Sequence, residues 1–194
     1  MKIKKIINKI NNQFNDIQNS PIERDLTHYL NILHKINHFE SNLTNKTLEE
    51  LKRYTYELKE KIKNDKHNLL FETYALIREV CKRLLDMRPY DVQILTALVL
   101  NDSKLAEMKT GEGKTLAAVL PACFNALLGK KVHILTFNDY LARRDANWMK
   151  PVYDFFGLSV GYINEKSTFK ERKNIYNKNI VYSTAKEIGF DYLR

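Results

Sequence analysis

The chain has 194 residues, 44% of them hydrophobic, with six Gly, four Pro and two Cys, which is enough apolar mass to bury a core. No uninterrupted apolar run approaches the roughly 18 residues that a bilayer crossing requires, so no membrane span is encoded and the chain reads as a soluble globular protein. The net charge of +9 is spread over both halves, and a diffuse positive field favours acidic surfaces, anionic lipid or nucleic acid, without choosing between them.

At the N-terminus Lys2, Lys4, Lys5 and Lys9 surround Ile3, Ile6, Ile7 and Ile10. Polar residues interrupt the isoleucines, so this is not the continuous apolar core of a signal peptide, and the chain is expected to stay where it is made. Ile3, Ile6, Ile10, Phe14 and Ile17 recur at helical steps. A basic helix with an isoleucine face suits either an anionic membrane surface or packing onto the rest of the protein. Asn11, Asn12 and Asn15 interrupt the pattern and favour packing.

Leu26, Leu30, Leu33 and Ile36 predict a second helix, and Thr47 with Glu50 forms a capping box that opens a third, with inner face Leu48, Leu51, Leu58 and Ile62. Asn64 and Asp65 break that pattern. From Leu70 the steps Tyr74, Ile77, Cys81 and Leu84 predict another amphipathic helix, ending near Arg88 because Pro89 disfavours helical geometry in the residue before it. Asp91 is placed to cap a helix over 92–100 that is apolar on most sides and so expected to be buried. Cys81 and Cys123 lie far apart in helical patterns, match no metal-ligand spacing, and read as reduced packing residues.

After Asn101 the rhythm changes to short apolar runs alternating with longer helical ones, the signature of an α/β fold. Strands are expected at 104–108, 132–136, 159–163 and 179–183, and helices at 114–128, 140–156 and 169–176. Gly129 and Gly157 stand where helices should end, and Pro121 and Pro151 fall inside two of them. Strand, helix, strand in succession implies a parallel sheet with crossovers.

Met108-Lys109-Thr110-Gly111-Glu112-Gly113-Lys114-Thr115 has the Gly-Lys-Thr ending of a phosphate-binding P-loop, placed between an expected strand and an expected helix, with Met108 where the strict pattern has Gly. Glycines let backbone N–H groups turn towards phosphate, and the helix N-terminus adds partial positive charge. Thr110, Gly111, Glu112, Gly113, Lys114 and Thr115 are therefore candidate ATP-binding residues. In that role Lys114 reaches the β- and γ-phosphates, and the Thr115 hydroxyl ligates Mg²⁺.

Four blocks in order carry a closer likeness: residues 87–93 (Met-Arg-Pro-Tyr-Asp-Val-Gln), 106–115 around the loop, 138–145 (Asn-Asp-Tyr-Leu-Ala-Arg-Arg-Asp) and 189–194 (Gly-Phe-Asp-Tyr-Leu-Arg). The chain resembles the SecA family, the ATPases of bacterial protein export, from about Leu43 to its last residue. The resemblance implies a P-loop, RecA-like parallel sheet, the first part of a DEAD-type motor domain, preceded by an all-helical N-terminal region. Its implied division is a helical extension at 1–42, a helical segment with the adenine motif at 43–100, and the first part of nucleotide-binding domain 1 at 101–194.

By the same resemblance Gln93 reads the adenine edge, with Met87, Arg88 and Tyr90 packing or hydrogen-bonding around the base; an amide both donates and accepts. A polar residue in the first turn of a helix is the alternative reading of Gln93. Arg143 and Arg144 are candidates for contact with the transported polymer or for relaying nucleotide state, and a solvated helix face explains them equally well. Departures from the family at Thr96-Ala97, Asn147-Trp148 and Ala185, with a compact stretch between Gly161 and Asn179, point to an accessory form of SecA serving selected substrates.

The resemblance implies ATP and Mg²⁺ as cofactors and the SecYEG translocon, preproteins and an anionic membrane surface as partners. A homodimer is among the implied assemblies, and nucleic acid is not an expected partner. The implied location is the cytoplasm and the cytoplasmic face of the bacterial cell membrane. The main competing reading is a helicase of the same superfamily, which would share Gln93 and the loop; a nucleotide-binding module without chemistry is a third.

Hydrolysis by such motors also needs an acidic pair at the end of a later strand. The adjacent pair Glu49-Glu50 is misplaced for this, and no apolar run after Thr115 ends in two carboxylates. The catalytic carboxylates are therefore expected beyond Arg194, and these 194 residues are expected not to turn over ATP alone, whereas a longer parent would.

Overall fold

The computed structural model describes residues 26–62 and 69–193; the expected basic N-terminal helix and the break at Asn64 and Asp65 lie outside them. Among the described residues are eight helices and three strands. They run as α1 (Thr27–Glu40), α2 (Leu48–Ile62), α3 (Leu70–Leu85), α4 (Asp91–Asn101), α5 (Lys114–Leu127), β1 (Val132–Thr136), α6 (Asp139–Phe155), β2 (Val160–Tyr162), α7 (Phe169–Tyr176), β3 (Ile180–Thr184) and α8 (Ala185–Leu193).

Local sequence explains most of the helix starts. Thr47 N–H donates to the Glu50 carboxylate at 2.7 Å and Glu50 N–H to the Thr47 hydroxyl at 3.2 Å, the reciprocal box expected for α2. Thr168 and Glu171 make the same box at α7. The inner face of α2 is Leu51, Thr55 and Leu58, whereas Leu48, expected inside, is 43% exposed in the first turn. α3 ends at Leu85, three residues before the expected limit, because Asp86 turns left-handed at φ 54° and breaks the ladder ahead of Pro89. Asp91 does not cap α4: the N-cap is Tyr90, whose N–H is taken by the Gln93 side chain at 2.9 Å. α5 and α6 run through Pro121 and Pro151, and Gly129 and Gly157 follow their ends.

The sheet is parallel with order β1-β3-β2, and Val132 and Val160 both register with Ile180. β3, at the centre, is buried throughout, as a parallel strand covered on both faces should be. The strand expected at 104–108 does not form. A strand exists only by pairing, and here the flanking amides go elsewhere: Lys104 N–H to Val99 O at 3.2 Å and Lys109 N–H to the Glu112 carboxylate at 2.8 Å. Leu105 is left 96% exposed. α8 is an element that periodicity did not reveal, since Gly189 sits in its middle.

The helical region and the sheet share one core. α3 is buried on every side from Thr73 to Cys81 and packs with α1, α5 and α6. Tyr153 of α6 and Tyr182 of β3 join their hydroxyls at 2.8 Å inside it. Cys81 and Cys123 are buried free thiols; burial pushes the Cys81 thiol up to about 12. Among the described residues no helix is long and apolar enough to cross a membrane.

Candidate functional site

The loop between the 104–108 segment and α5 is shaped by two glycines in the left-handed region, Gly111 at φ 87° and Gly113 at φ 82°. Gly113 is the N-cap of α5, so the loop leads straight into a helix N-terminus and its partial positive charge. A side chain at Gly113 would be strained by its φ and would also collide with its neighbour: an added Cβ lies 2.2 Å from Gln93 Nε2. At Gly111 nothing lies within 4 Å of such a Cβ, so that face of the loop is open.

The loop's polar groups are already arranged. Glu112 closes it by accepting the Lys109 N–H. Lys114, exposed at the start of α5, donates through Nζ to Lys109 O at 2.9 Å, which folds the ammonium back over the loop. The Thr115 hydroxyl donates to Asp145 Oδ2 at 3.3 Å, and Asp145 Oδ1 receives Arg144 at 2.8 Å. Asp145 is buried, so the carboxylate of α6 is a fixed neighbour of the Thr115 hydroxyl. Periodicity missed Asp145, because its importance lies in a contact between two helices. Both arginines of the pair are exposed, and Arg144 is engaged by Asp145 and lies 6.0 Å over the Tyr140 ring.

Gln93 joins the loop to the segment before α4. Its oxygen accepts Tyr90 N–H, and its Nε2 donates to Glu112 O at 2.8 Å. Gln93 is itself buried, at 5% exposure, so these two bonds fix the amide beneath the loop; an amide has two N–H donors and two acceptor lone pairs, and one of each is not used by them. Tyr90 is 71% exposed, Met87 packs on the core edge, and Arg88 closes a fork on Glu40, with Nε and Nη2 at 2.7 and 2.6 Å from its two oxygens. Arg78, which the sequence reading passed over, lies beneath: Nε donates to Pro89 O at 2.7 Å and Nη2 to Asp91 Oδ1 at 2.6 Å. Burial pulls the Arg78 guanidinium below its ordinary value, against the pull of Asp91 and Glu40, while the hydrogen bond to Glu40 raises Arg88.

The residues fit a nucleoside triphosphate in kind. An open glycine loop, a helix N-terminus, a lysine and a threonine hydroxyl stand on one side. The buried Gln93 amide and the exposed Tyr90 ring stand on the other, joined to the loop by the hydrogen bond from Gln93 to Glu112.

A family model described as SecA DEAD-like domain matches residues 14–194. The chain is 50% identical over 174 residues to "Protein translocase subunit SecA" of Elusimicrobium minutum (strain Pei191), covering 89% of this chain and 20% of that protein. It is 50% identical over 174 residues to the protein of the same name from Treponema denticola, covering 89% and 19%. For the one from Rubrobacter xylanophilus the figures are 52% over 146 residues, 74% and 16%. The chain thus spans about one fifth of the length of the first of these relatives. The helical region and the three-stranded parallel sheet around the glycine loop agree with that match, and on it the chain belongs to the SecA family.

Proposed function

We propose that this chain forms the nucleotide-binding front of an ATP-driven protein translocase, which couples ATP hydrolysis to moving preproteins across the membrane through SecYEG. The observation that carries the reading is the joined site: Gly113 and Glu112 on the phosphate side are locked to Gln93 and Tyr90 on the base side. In it the loop amides, with Lys114, would hold the phosphates, and the Thr115 hydroxyl, which donates to Asp145, would be the chain's ligand for Mg²⁺. Gln93 and Tyr90 take the base, and Met87 and Arg88 keep their segment in place.

Bound Mg·ATP supplies the phosphoryl group whose transfer to water drives the cycle. The chain's own residues bind and orient it. We place the carboxylates that activate water, and the arginine that completes the site, in the longer parent, at the cytoplasmic face of the membrane. The domain limits 1–42, 43–100 and 101–194, the contact with anionic lipid, the homodimer and the accessory role belong to the same proposal.

The test is the ATPase rate of the full-length parent with translocon and preprotein, set against the rate with RNA. Stimulation by translocon and preprotein is expected; stimulation by RNA alone would overturn the reading in favour of a helicase. The 194-residue chain is expected to bind nucleotide without turnover, and sustained Mg²⁺-dependent phosphate release that Lys114→Ala abolishes would sink that part.

A further inference from the structure

We propose that Arg78, on a helix remote in sequence from the phosphate loop, is a positioning residue that sets the base selectivity of this site by pinning the segment on both sides of Tyr90. The inference rests on the reading of Tyr90 and Gln93 as the base-side residues.

The Arg78 side chain is fully buried within α3. None of its partners is on its own helix: besides Pro89 O and Asp91 Oδ1, Nη1 donates to Asn37 Oδ1 at 2.5 Å and lies 3.4 Å from Glu40. A guanidinium is costly to bury, and packing alone would be served as well by an apolar side chain of similar volume. What an apolar residue cannot do is hold a backbone carbonyl at 89 and a carboxylate at 91 with one rigid fork.

Tyr90 lies between those two anchors, with its ring outside and its N–H aimed at Gln93. Gln93 in turn reaches Glu112 O. A chain of contacts therefore runs from Arg78 through the backbone of Tyr90 to Gln93, while the Lys114 ammonium and the Thr115 hydroxyl bond elsewhere, to Lys109 and Asp145. Loss of Arg78 should loosen the base side far more than the phosphate side, which Gln93 touches only through Glu112 O. A purely structural arginine would weaken both together.

The experiment measures the affinity of the full chain for ATP, GTP and inorganic tripolyphosphate, by displacement of a ribose-labelled fluorescent ATP, with circular dichroism to confirm folding. The wild-type chain should prefer ATP over GTP. In Arg78→Met that preference should fall by about tenfold, with tripolyphosphate affinity held within about twofold. Arg78→Lys should move the same way by less, because donors on one nitrogen cannot span acceptors that the planar guanidinium reaches from three separate nitrogens. Asn37→Ala, an exposed residue that loses one of the contacts, keeps the proposal testable if the Arg78 variants do not fold, and should lower the preference by roughly twofold.

An unchanged ATP-to-GTP ratio in the folded variants, or an equal fall for ATP, GTP and tripolyphosphate, would overturn the inference. A wild-type chain that binds no nucleotide would instead overturn the functional reading itself. A wild-type chain that binds ATP and GTP alike would overturn the base-side assignment and this inference with it.

Discussion

The two sides of the proposed site are built in opposite ways. The phosphate side is one run of sequence, Gly111 to Thr115, in which two positive-φ glycines and a helix N-terminus make the cradle and the side-chain contacts are few. The base side is also short in sequence, yet the buried charges of Arg78 from α3 and Glu40 from α1, with the Asn37 amide, fix its shape. Backbone chemistry needs only neighbours in the chain, whereas holding an exposed aromatic ring at a chosen place needs anchors from elsewhere in the fold. An arrangement of the first kind tolerates change around it; one of the second kind is sensitive to distant substitutions.

The largest effect that would sharpen this contrast is expected from Lys114→Ala. Removing the ammonium from a backbone cradle should weaken triphosphate binding by about 3 kcal/mol, on the order of a hundredfold, with no change in the melting temperature of the chain. A drop in stability of similar size would mean that Lys114 is part of the fold, and the contrast would break.

Next comes Gly113→Ala, which strikes both sides at once. The new methyl meets Gln93 Nε2 and the backbone cannot relax from φ 82° without losing the loop, so a cost of roughly 2 kcal/mol in stability and a parallel loss of ATP affinity are expected. Calorimetry with a binding titration reads both, and an affinity loss without destabilisation would show that the collision is relieved by Gln93 moving.

Tyr90→Ala should cost about 1 kcal/mol of ATP affinity and leave both folding and tripolyphosphate binding alone, since the ring is exposed and contributes by contact with the base. Equal loss for tripolyphosphate would show that the segment acts on the phosphates instead.

The smallest effect concerns a polar cluster on the sheet side, where Arg172 reaches Glu187 and Asp191, and Tyr176 donates to Asp191 at 2.8 Å. Burial, with the bond to Asp191, pushes the Tyr176 hydroxyl up to about 12. The unfolded chain releases that proton near 10, so the contribution is complete below that pH and is lost as pH rises from about 10 through about 12. A melting temperature that falls over this window in the wild type, and less steeply in Tyr176→Phe, is the expected result. Equal slopes would remove Tyr176 from the account.

Much of this was legible in the residues. The capping box at Thr47, the limits of α5 and α6 to within one residue, and the strand at Val132–Thr136 follow from local signals. So does the glycine loop, because its conformation is a property of its own residues. The errors are where a partner decides. Residues 104–108 have the apolar character of a strand but no neighbour among the described residues to pair with. Asp91 looks like a cap and is instead a ligand of Arg78. Leu48 continues a helical stripe, yet it falls in the first turn, before the stripe reaches the core.

By itself, then, the amino-acid sequence determined most of the helices, the three strands that pair, the parallel character of the sheet, and the glycine loop with its lysine and threonine. Each of these depends on interactions a few residues apart or on a repeating apolar pattern. Tertiary structure alone decided that Gln93 bridges Tyr90 and Glu112, that Asp145 stands at the Thr115 hydroxyl, and that a buried arginine holds residues 89 and 91 on either side of Tyr90. These are contacts between groups distant in the chain, and a charge enclosed by the fold has no local signature: its role exists only once its partners have been brought to it.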